Sequence, residues 1–317
     1  MVSKQLWKNK MKIIITGGAG FIGGHAVQHF VEEGDDVLNI DKLTYASKIE
    51  NTQISKFVNL DICETDKLCK IMKEFSPDVL INFAAETHVD NSINSSKEFV
   101  KSNLEGATSV MDSCVKNNVK LCHISTDEVY GPAFDRPFTE SDILCPMNPY
   151  SATKAAADMM LPAYKNTHNL NYIIVRPSNN YGPNQHQEKF IPKLINCINK
   201  KTQFPLYGVG DQEREWTFVK DTTRIIRRLV NAKNIAWNEG SIYNLSSGIT
   251  YKNIDVAKIV IDSYNKKYNC KLRLEDIIKF SVDRPGHDKK YWISSKKLSN
   301  VVNYNYTSFH SGVSEIV

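Results

Sequence analysis
Thr16-Gly17-Gly18-Ala19-Gly20-Phe21-Ile22-Gly23 ends a short apolar run, residues 12–16, and opens a segment of helical pattern, residues 21–33. Glycines at a strand-to-helix turn let the chain bend tightly and let backbone N–H groups approach a bound group. The partial positive charge at the helix start then suits a pyrophosphate. A glycine-rich turn with no ligand is the plainer alternative. The strand before it and the helix after it favour a dinucleotide site, in which Gly17, Gly20, Phe21, Ile22 and Gly23 line the turn.

Further short apolar runs stand at 37–40, 57–59, 79–83, 121–125 and 172–176, with helical segments such as 67–75 and 97–116 between them. Short buried strands alternating with helices predict an α/β fold, a Rossmann-type doubly wound parallel sheet covered on both faces. After about residue 182 the pattern shifts to mixed short strands, longer loops and helical stretches near 222–232 and 254–267. The expected organisation is a polar tail over 1–10, a nucleotide-binding domain over 11–182, and a smaller mixed α/β lobe over 183–317. That lobe is read as mainly substrate-binding and interleaved with the first domain. No internal repeat stands out.

The 317 residues are enough for one large domain or two small ones. With 41% hydrophobic and 24% charged residues the composition is that of a soluble globular protein. The net charge of +5 is spread without a long basic run. It fits a diphosphate-bearing substrate, and a nucleic-acid role is set aside. Seven cysteines form no CxxC pair, and no apolar signal segment precedes the first strand. They read as reduced thiols of a cytoplasmic protein. No apolar run approaches the roughly 18 residues that span a bilayer, and no metal site is expected.

Asp41 follows the second strand, where a carboxylate accepts from the adenosine ribose and repels a 2′-phosphate, so NAD is favoured over NADP. Lys42 beside it opposes that preference in part. Asp61-Ile62 and Phe83-Ala84-Ala85-Glu86-Thr87 follow the third and fourth strands, where they would close around adenine and the nicotinamide ribose. Taken singly, each is equally an ordinary strand end. Tyr150 and Lys154, four apart at a helix start, share one face. The ammonium and a cationic nicotinamide would favour phenolate and make Tyr150 a general base. Thr126-Asp127-Glu128 ends the 121–125 strand, where open parallel sheets bind their ligands. Adjacent carboxylates in one cleft can serve as one acid and one base, although a solvated turn fits the spacing as well.

These stretches, with Asp41-Lys42-Leu43-Thr44-Tyr45-Ala46, Asn179-Asn180-Tyr181-Gly182-Pro183, Glu188-Lys189-Phe190-Ile191-Pro192 and Asp283-Arg284-Pro285-Gly286-His287-Asp288, carry a family likeness. They resemble the nucleotide-sugar 4,6-dehydratases of the extended short-chain dehydrogenase family, from about residue 11 to 315. The Asp127-Glu128 pair is the specific part, because the related 4-epimerases lack it. A 4-epimerase, a 4-reductase and a non-catalytic NAD-binding regulator are the alternatives.

The resemblance implies that Tyr150, beside Lys154, takes the proton of a sugar C4 hydroxyl oriented by Thr126, while hydride leaves C4 for NAD⁺. Glu128 then removes the C5 proton as protonated Asp127 protonates the departing C6 hydroxyl, and hydride returns to C6. It further implies that Thr44, Ser102 and Asn180 touch the cofactor. Thr87, Asn179, Lys189, Phe190, Pro205, Tyr207, Arg214, Asn244, Asp283, Arg284 and His287 would line the substrate site. Arg214, Arg284 and Lys189 suit a diphosphate. The segment between Tyr130 and Tyr150 is short and resembles the UDP-glucose members, so dTDP-glucose, UDP-glucose and UDP-N-acetylglucosamine all stand as substrates. A homodimer paired through segments 97–116 and 150–168 is implied too, although their apolar stripes fit packing on their own sheet equally.

Overall fold
A computed structural model describes residues 10–283 and 288–317. Ile13, Ile14 and Ile15, all fully buried, form the middle of β1 (Lys12–Thr16). Successive strand residues point to opposite faces, so an unbroken β-branched run must be covered from both sides. Ile13 and Ile15 enter one apolar core with Val27, Phe30 and Ile81. Ile14 enters another with Ile40, Leu80, Met111 and Leu161.

Seven parallel strands make the central sheet. Around β1 stand β2 (Asp36–Asp41), β3 (Lys56–Asn59), β4 (Val79–Asn82), β5 (Lys120–Ile124) and β6 (Tyr172–Pro177). Three short strands follow, β7 (Asn179–Tyr181), β8 (Phe204–Tyr207) and β9 (Glu213–Phe218), and then β10 (Ser241–Leu245). The order across the sheet is β10-β6-β5-β4-β1-β2-β3. It turns back at β1, which leaves a crevice at the C-terminal strand ends beside β1 and β4.

The second half of the chain builds its own core from Tyr181, Leu194, Trp216, Phe218, Val256 and Phe309. There β7 and β11 (Thr250–Lys252) flank β9, while β8 pairs with β12 (Ile278–Ser281). It also gives two elements back to the first half. β10 closes the edge of the main sheet against β6, and helix Val219–Asn231 packs on helix Phe21–Glu32, with Arg227 Nε donating to Asp35 at 2.8 Å.

The helix expected over 97–116 has a more particular form. It runs as Lys97–Phe99, a π-helical turn at Val100–Glu105, and Gly106–Asn117. Helix Pro149–His168 starts from an Asn148 capping box with Ser151 and has proline at its first position, which fixes its first turn. Among the described residues no helix is long and apolar enough to cross a membrane.

Phe309 anchors the C-terminal segment, with its ring 4.9 Å from that of Tyr181 and 4.7 Å from that of Tyr251. Phe309→Ala should lower stability by about 3–5 kcal/mol through the cavity it leaves. Urea unfolding should show this as a lower midpoint, and an unchanged midpoint would contradict the packing role.

Candidate active site
The C-terminal edge of the sheet opens into a cleft of about 350 Å³. Its floor is the turn after β1. Gly17 has φ +71°, and a Cβ there would stand 2.6 Å from the Ala84 nitrogen. A Cβ on Gly23 would stand 2.1 Å from the Gly17 carbonyl oxygen. Gly20 caps the following helix without any side chain across its first turn. The bare helix start therefore faces the cleft, and a pyrophosphate fits this cradle.

Asp41 and Lys42 form the next wall. The Asp41 carboxylate accepts from the Ala19 N–H at 3.0 Å, the Leu43 N–H at 2.8 Å and the Ser47 hydroxyl at 3.1 Å. It therefore shapes the loop as well as presenting negative charge. Lys42 pairs with Asp61 at 3.4 Å. Asp61 itself lies just behind the lining, where it also accepts from the Cys63 N–H. Thr44, Ile62, Phe83, Ala84, Ala85, Ser102 and Asn180 all line the cleft, as do Phe21 and Ile22. The π turn accounts for Ser102 and its neighbour. The buried Asn103 side chain accepts from the Glu86 N–H at 2.8 Å and donates to Thr153 Oγ1 at 3.0 Å, tying the loop after β4 to helix Pro149–His168.

Tyr150, Lys154, Thr126, Asp127 and Glu128 converge on the same cleft. Thr126 caps the short turn Asp127–Tyr130 after β5, its hydroxyl accepting from the Glu128 N–H. Asp127 is buried, and its Oδ2 has no partner among the described residues. Burial, then the charges of Glu128 and Glu215, raise its pKa well above the usual carboxylate range. Its acid form is thereby favoured. Glu128 is better hydrated and is held through Oε2 by Asn148 Nδ2 at 3.2 Å and the Tyr291 hydroxyl at 3.4 Å. The adjacent acids thus stand in different surroundings, one enclosed and one reaching toward the cleft.

Lys154 donates to the Ile124 carbonyl at 2.6 Å, and burial lowers its pKa to about 8 against the pull of Asp158. Burial, then the Glu128 charge, raise the Tyr150 pKa, with a hydrogen bond to Thr126 opposing them. Within the chain alone the phenol is held protonated.

The substrate residues divide. Thr87, Asn179, Lys189 and Phe190 line the cleft, and Lys189 donates to the Thr87 carbonyl at 3.1 Å. Arg214 does not line it: its guanidinium donates to the carbonyls of Glu213 and Asp288 at 2.8 Å and stacks 4.2 Å over the Tyr291 ring. Asn244 is likewise committed, accepting from Tyr130 at 2.9 Å and donating to the Phe138 carbonyl at 3.2 Å. Both side chains are engaged by the chain's own groups. Pro205, Tyr207 and Asp283 come together at the β8–β12 ribbon, outside the cleft lining. Arg284 and His287 lie outside the described residues. Sequence reasoning passed over Tyr291, whose contact with Glu128 spans 163 positions and leaves no local pattern. Asn148 carries a signal, the capping residue before proline.

Gly17→Val should lower dinucleotide affinity by at least tenfold, because both the φ and the space exclude a branched Cβ. The unmodified chain should bind NAD more tightly than NADP. Calorimetry reads both, and equal affinities for the two dinucleotides would refute the role given to Asp41.

Residues 14–316 match the family model described as GDP-mannose 4,6 dehydratase. The chain is 36% identical over 315 residues to the low-salt glycan biosynthesis protein Agl12 of Haloferax volcanii, covering 97% of each. It is 36% identical over 335 residues to dTDP-glucose 4,6-dehydratase of Salmonella typhimurium, covering 97% of this chain and 92% of that one. The crystal structure of DesIV, a dTDP-glucose 4,6-dehydratase from Streptomyces venezuelae with NAD and TYD bound, superposes with a TM-score of 0.88 at 33% identity. That match covers 96% of this chain and 95% of the other. With the family model matched over nearly its whole length, the chain belongs to the GDP-mannose 4,6 dehydratase family.

Proposed function
We propose that this enzyme, a hydro-lyase of the nucleotide-sugar 4,6-dehydratase kind with NAD as its cofactor, converts dTDP-glucose to its 4-keto-6-deoxy derivative. The observation that carries the reading is the meeting of Tyr150, Thr126, Asp127 and Glu128 in one cleft beside the glycine turn. The dTDP-glucose enzymes among its relatives support the choice of nucleotide. UDP-glucose and UDP-N-acetylglucosamine are the competing substrates, and assays with all three in parallel decide between them.

The glycine turn, Asp41, Ser102 and Lys154 would hold the cofactor. Bound NAD supplies the acceptor for the C4 hydride and its donor to C6, and its cationic ring opposes the burial that holds the Tyr150 proton. Tyr150 takes the C4 hydroxyl proton, with Thr126 orienting that hydroxyl. The resulting C4 ketone acidifies C5. Glu128, held by Asn148 and Tyr291, removes the C5 proton while Asp127 protonates the C6 oxygen, which leaves as water. Glu128 finally returns its proton to C5. Tyr150 ends with the proton that Asp127 has lost, so the protons balance.

A homodimer is part of this reading. Val100 and Met159 stay 46% and 70% exposed on the adjoining segments Val100–Glu105 and Pro149–His168, as a helix-paired interface requires. Light scattering at micromolar concentration should give twice the chain mass. Seven unbridged thiols support a cytoplasmic setting.

Tyr150→Phe should form neither NADH nor product. Glu128→Gln should stall with NADH formed and the C6 hydroxyl retained, a deficit of about 10²–10⁴-fold in product. Deuterium placed at C4 should appear at C6 of the same molecule. Loss of that label to solvent, or near-full dehydration by Glu128→Gln, would defeat the scheme.

A further inference from the structure
His123 stands on β5 with 1% of its surface exposed, and no step of the reaction uses it. Leu121, two residues earlier, shares a core with Ala157 and Leu161, so this face of the strand turns toward helix Pro149–His168. There His123 Nε2 and Asp158 Oδ1 face each other at 4.0 Å, and neither has a hydrogen-bond partner among the described residues. That separation exceeds a hydrogen bond, so the contact is one of charge and dipole in a water-poor setting. On the other side of the ring, Nδ1 meets Asn82 Nδ2 at 3.2 Å, and Asn82 Oδ1 accepts from the Thr16 hydroxyl at 2.6 Å.

These contacts decide which ring nitrogen carries the proton. Asn82 spends its oxygen on Thr16 and turns its amide donor to Nδ1, which leaves the ring proton for Nε2. Asp158 agrees with that choice. Its Oδ2 accepts from Arg176 at 2.8 Å, which favours the carboxylate, and a bare lone pair on Nε2 would repel Oδ1 where an N–H attracts it. Burial pushes the His123 pKa well down, and the Lys154 charge adds to that, so the neutral ring is favoured. Burial raises the Asp158 pKa, while Arg176, Ser125 and Lys154 oppose it, and Tyr150 and Tyr172 feel its charge.

We propose that His123 is a positioning residue, whose neutral Nε2–H form engages Asp158 Oδ1 and so leaves the Lys154 ammonium to the cofactor. This rests on the reading of Lys154 as a residue that holds NAD. Lys154 lies one turn before Asp158, with its ammonium on the carbonyl of Ile124, the next residue after His123. Two adjacent residues of β5 thus hold two residues of the helix that share one face. A lysine and an aspartate at that spacing readily pair with each other. With Oδ2 on Arg176 and Oδ1 facing the imidazole, Asp158 is turned away from that pairing. Without the N–H, Oδ1 swings to the nearest cation and draws the ammonium off the Ile124 carbonyl and out of the cleft that Lys154 lines.

Nitrogen-15 NMR of histidine-labelled, NAD-loaded enzyme tests the proton placement, with the His123 signals assigned by their loss in His123→Gln. Nε2 should carry the proton and Nδ1 none, unchanged between about pH 6 and 9, the range in which an ordinary histidine has lost or is losing its charge. Calorimetry tests the consequence. His123→Leu offers no N–H and should bind NAD roughly tenfold more weakly, the worth of one hydrogen bond to a charged group. His123→Gln keeps an acceptor for Asn82 and a donor for Asp158, and should return most of the affinity. A proton on Nδ1, or a ring that titrates in that range, overturns the proposal on the unmodified enzyme, whether or not the leucine variant folds. Native affinity in folded His123→Leu, with Lys154→Met binding weakly, overturns the role of His123 alone. Native affinity in Lys154→Met overturns the reading of Lys154 and this proposal with it.

Discussion
The ion pair between Asp158 and Arg176 is closed off from water, with Nε and Oδ2 2.8 Å apart, and the catalytic end of the molecule is arranged around it. Asp158 lies one helical turn past Lys154, so it fixes the roll of helix Pro149–His168 against β6. Arg176 also donates to the Tyr130 hydroxyl at 2.7 Å, and Tyr130 donates to Asn244 on β10. One guanidinium thereby joins the helix of Tyr150 and Lys154, the turn of Asp127 and Glu128, and strands β6 and β10. Such a pair adds little net stability over a well-packed apolar pair, but losing one partner strands a buried charge at about 3–5 kcal/mol. Its use here is orientation.

Around that frame the site separates its charges by burial. Asp127 is enclosed, which favours its acid form. Glu128 reaches toward the cleft and has two donors on one oxygen. Lys154 is enclosed too, yet its ammonium stays in place because it meets the Ile124 carbonyl and feels Asp158. The same low-dielectric surroundings that hold the phenol of Tyr150 protonated would make a cationic ring beside it count for more than it would in water.

The sheet was legible in the sequence because a parallel strand buried on both faces must be apolar throughout, as Ile13–Ile14–Ile15 is, and because glycines at 17, 20 and 23 answer to a steric demand. Tyr150 and Lys154 were legible through helical spacing, and Asp127 and Glu128 through adjacency at a strand end. Arg214 and Asn244 show contacts that the sequence did not signal, since a residue type suited to a ligand is equally suited to a backbone carbonyl. Only the fold shows which one it meets. Tyr291 acts across the two halves of the chain, and no local pattern records a partner so far away in sequence. The return of β10 to the main sheet was hidden for the same reason.

The π turn at Val100–Glu105 has a consequence for how this fold can change. A π turn holds one residue more than the α-helix would, and that surplus turns the buried side chains of Ser102 and Asn103 onto the cleft and its walls. Deleting a single residue there would restore regular helix and swing everything on one side by about 100° relative to the other. The helix would survive and still cover the sheet, while Asn103 would release the loop after β4 and Ser102 would leave the dinucleotide cleft. One inserted residue is thus the distance between a helix that only covers a sheet and one that also grips a ligand, so length changes in this stretch bear on binding far more than substitutions on its outer face.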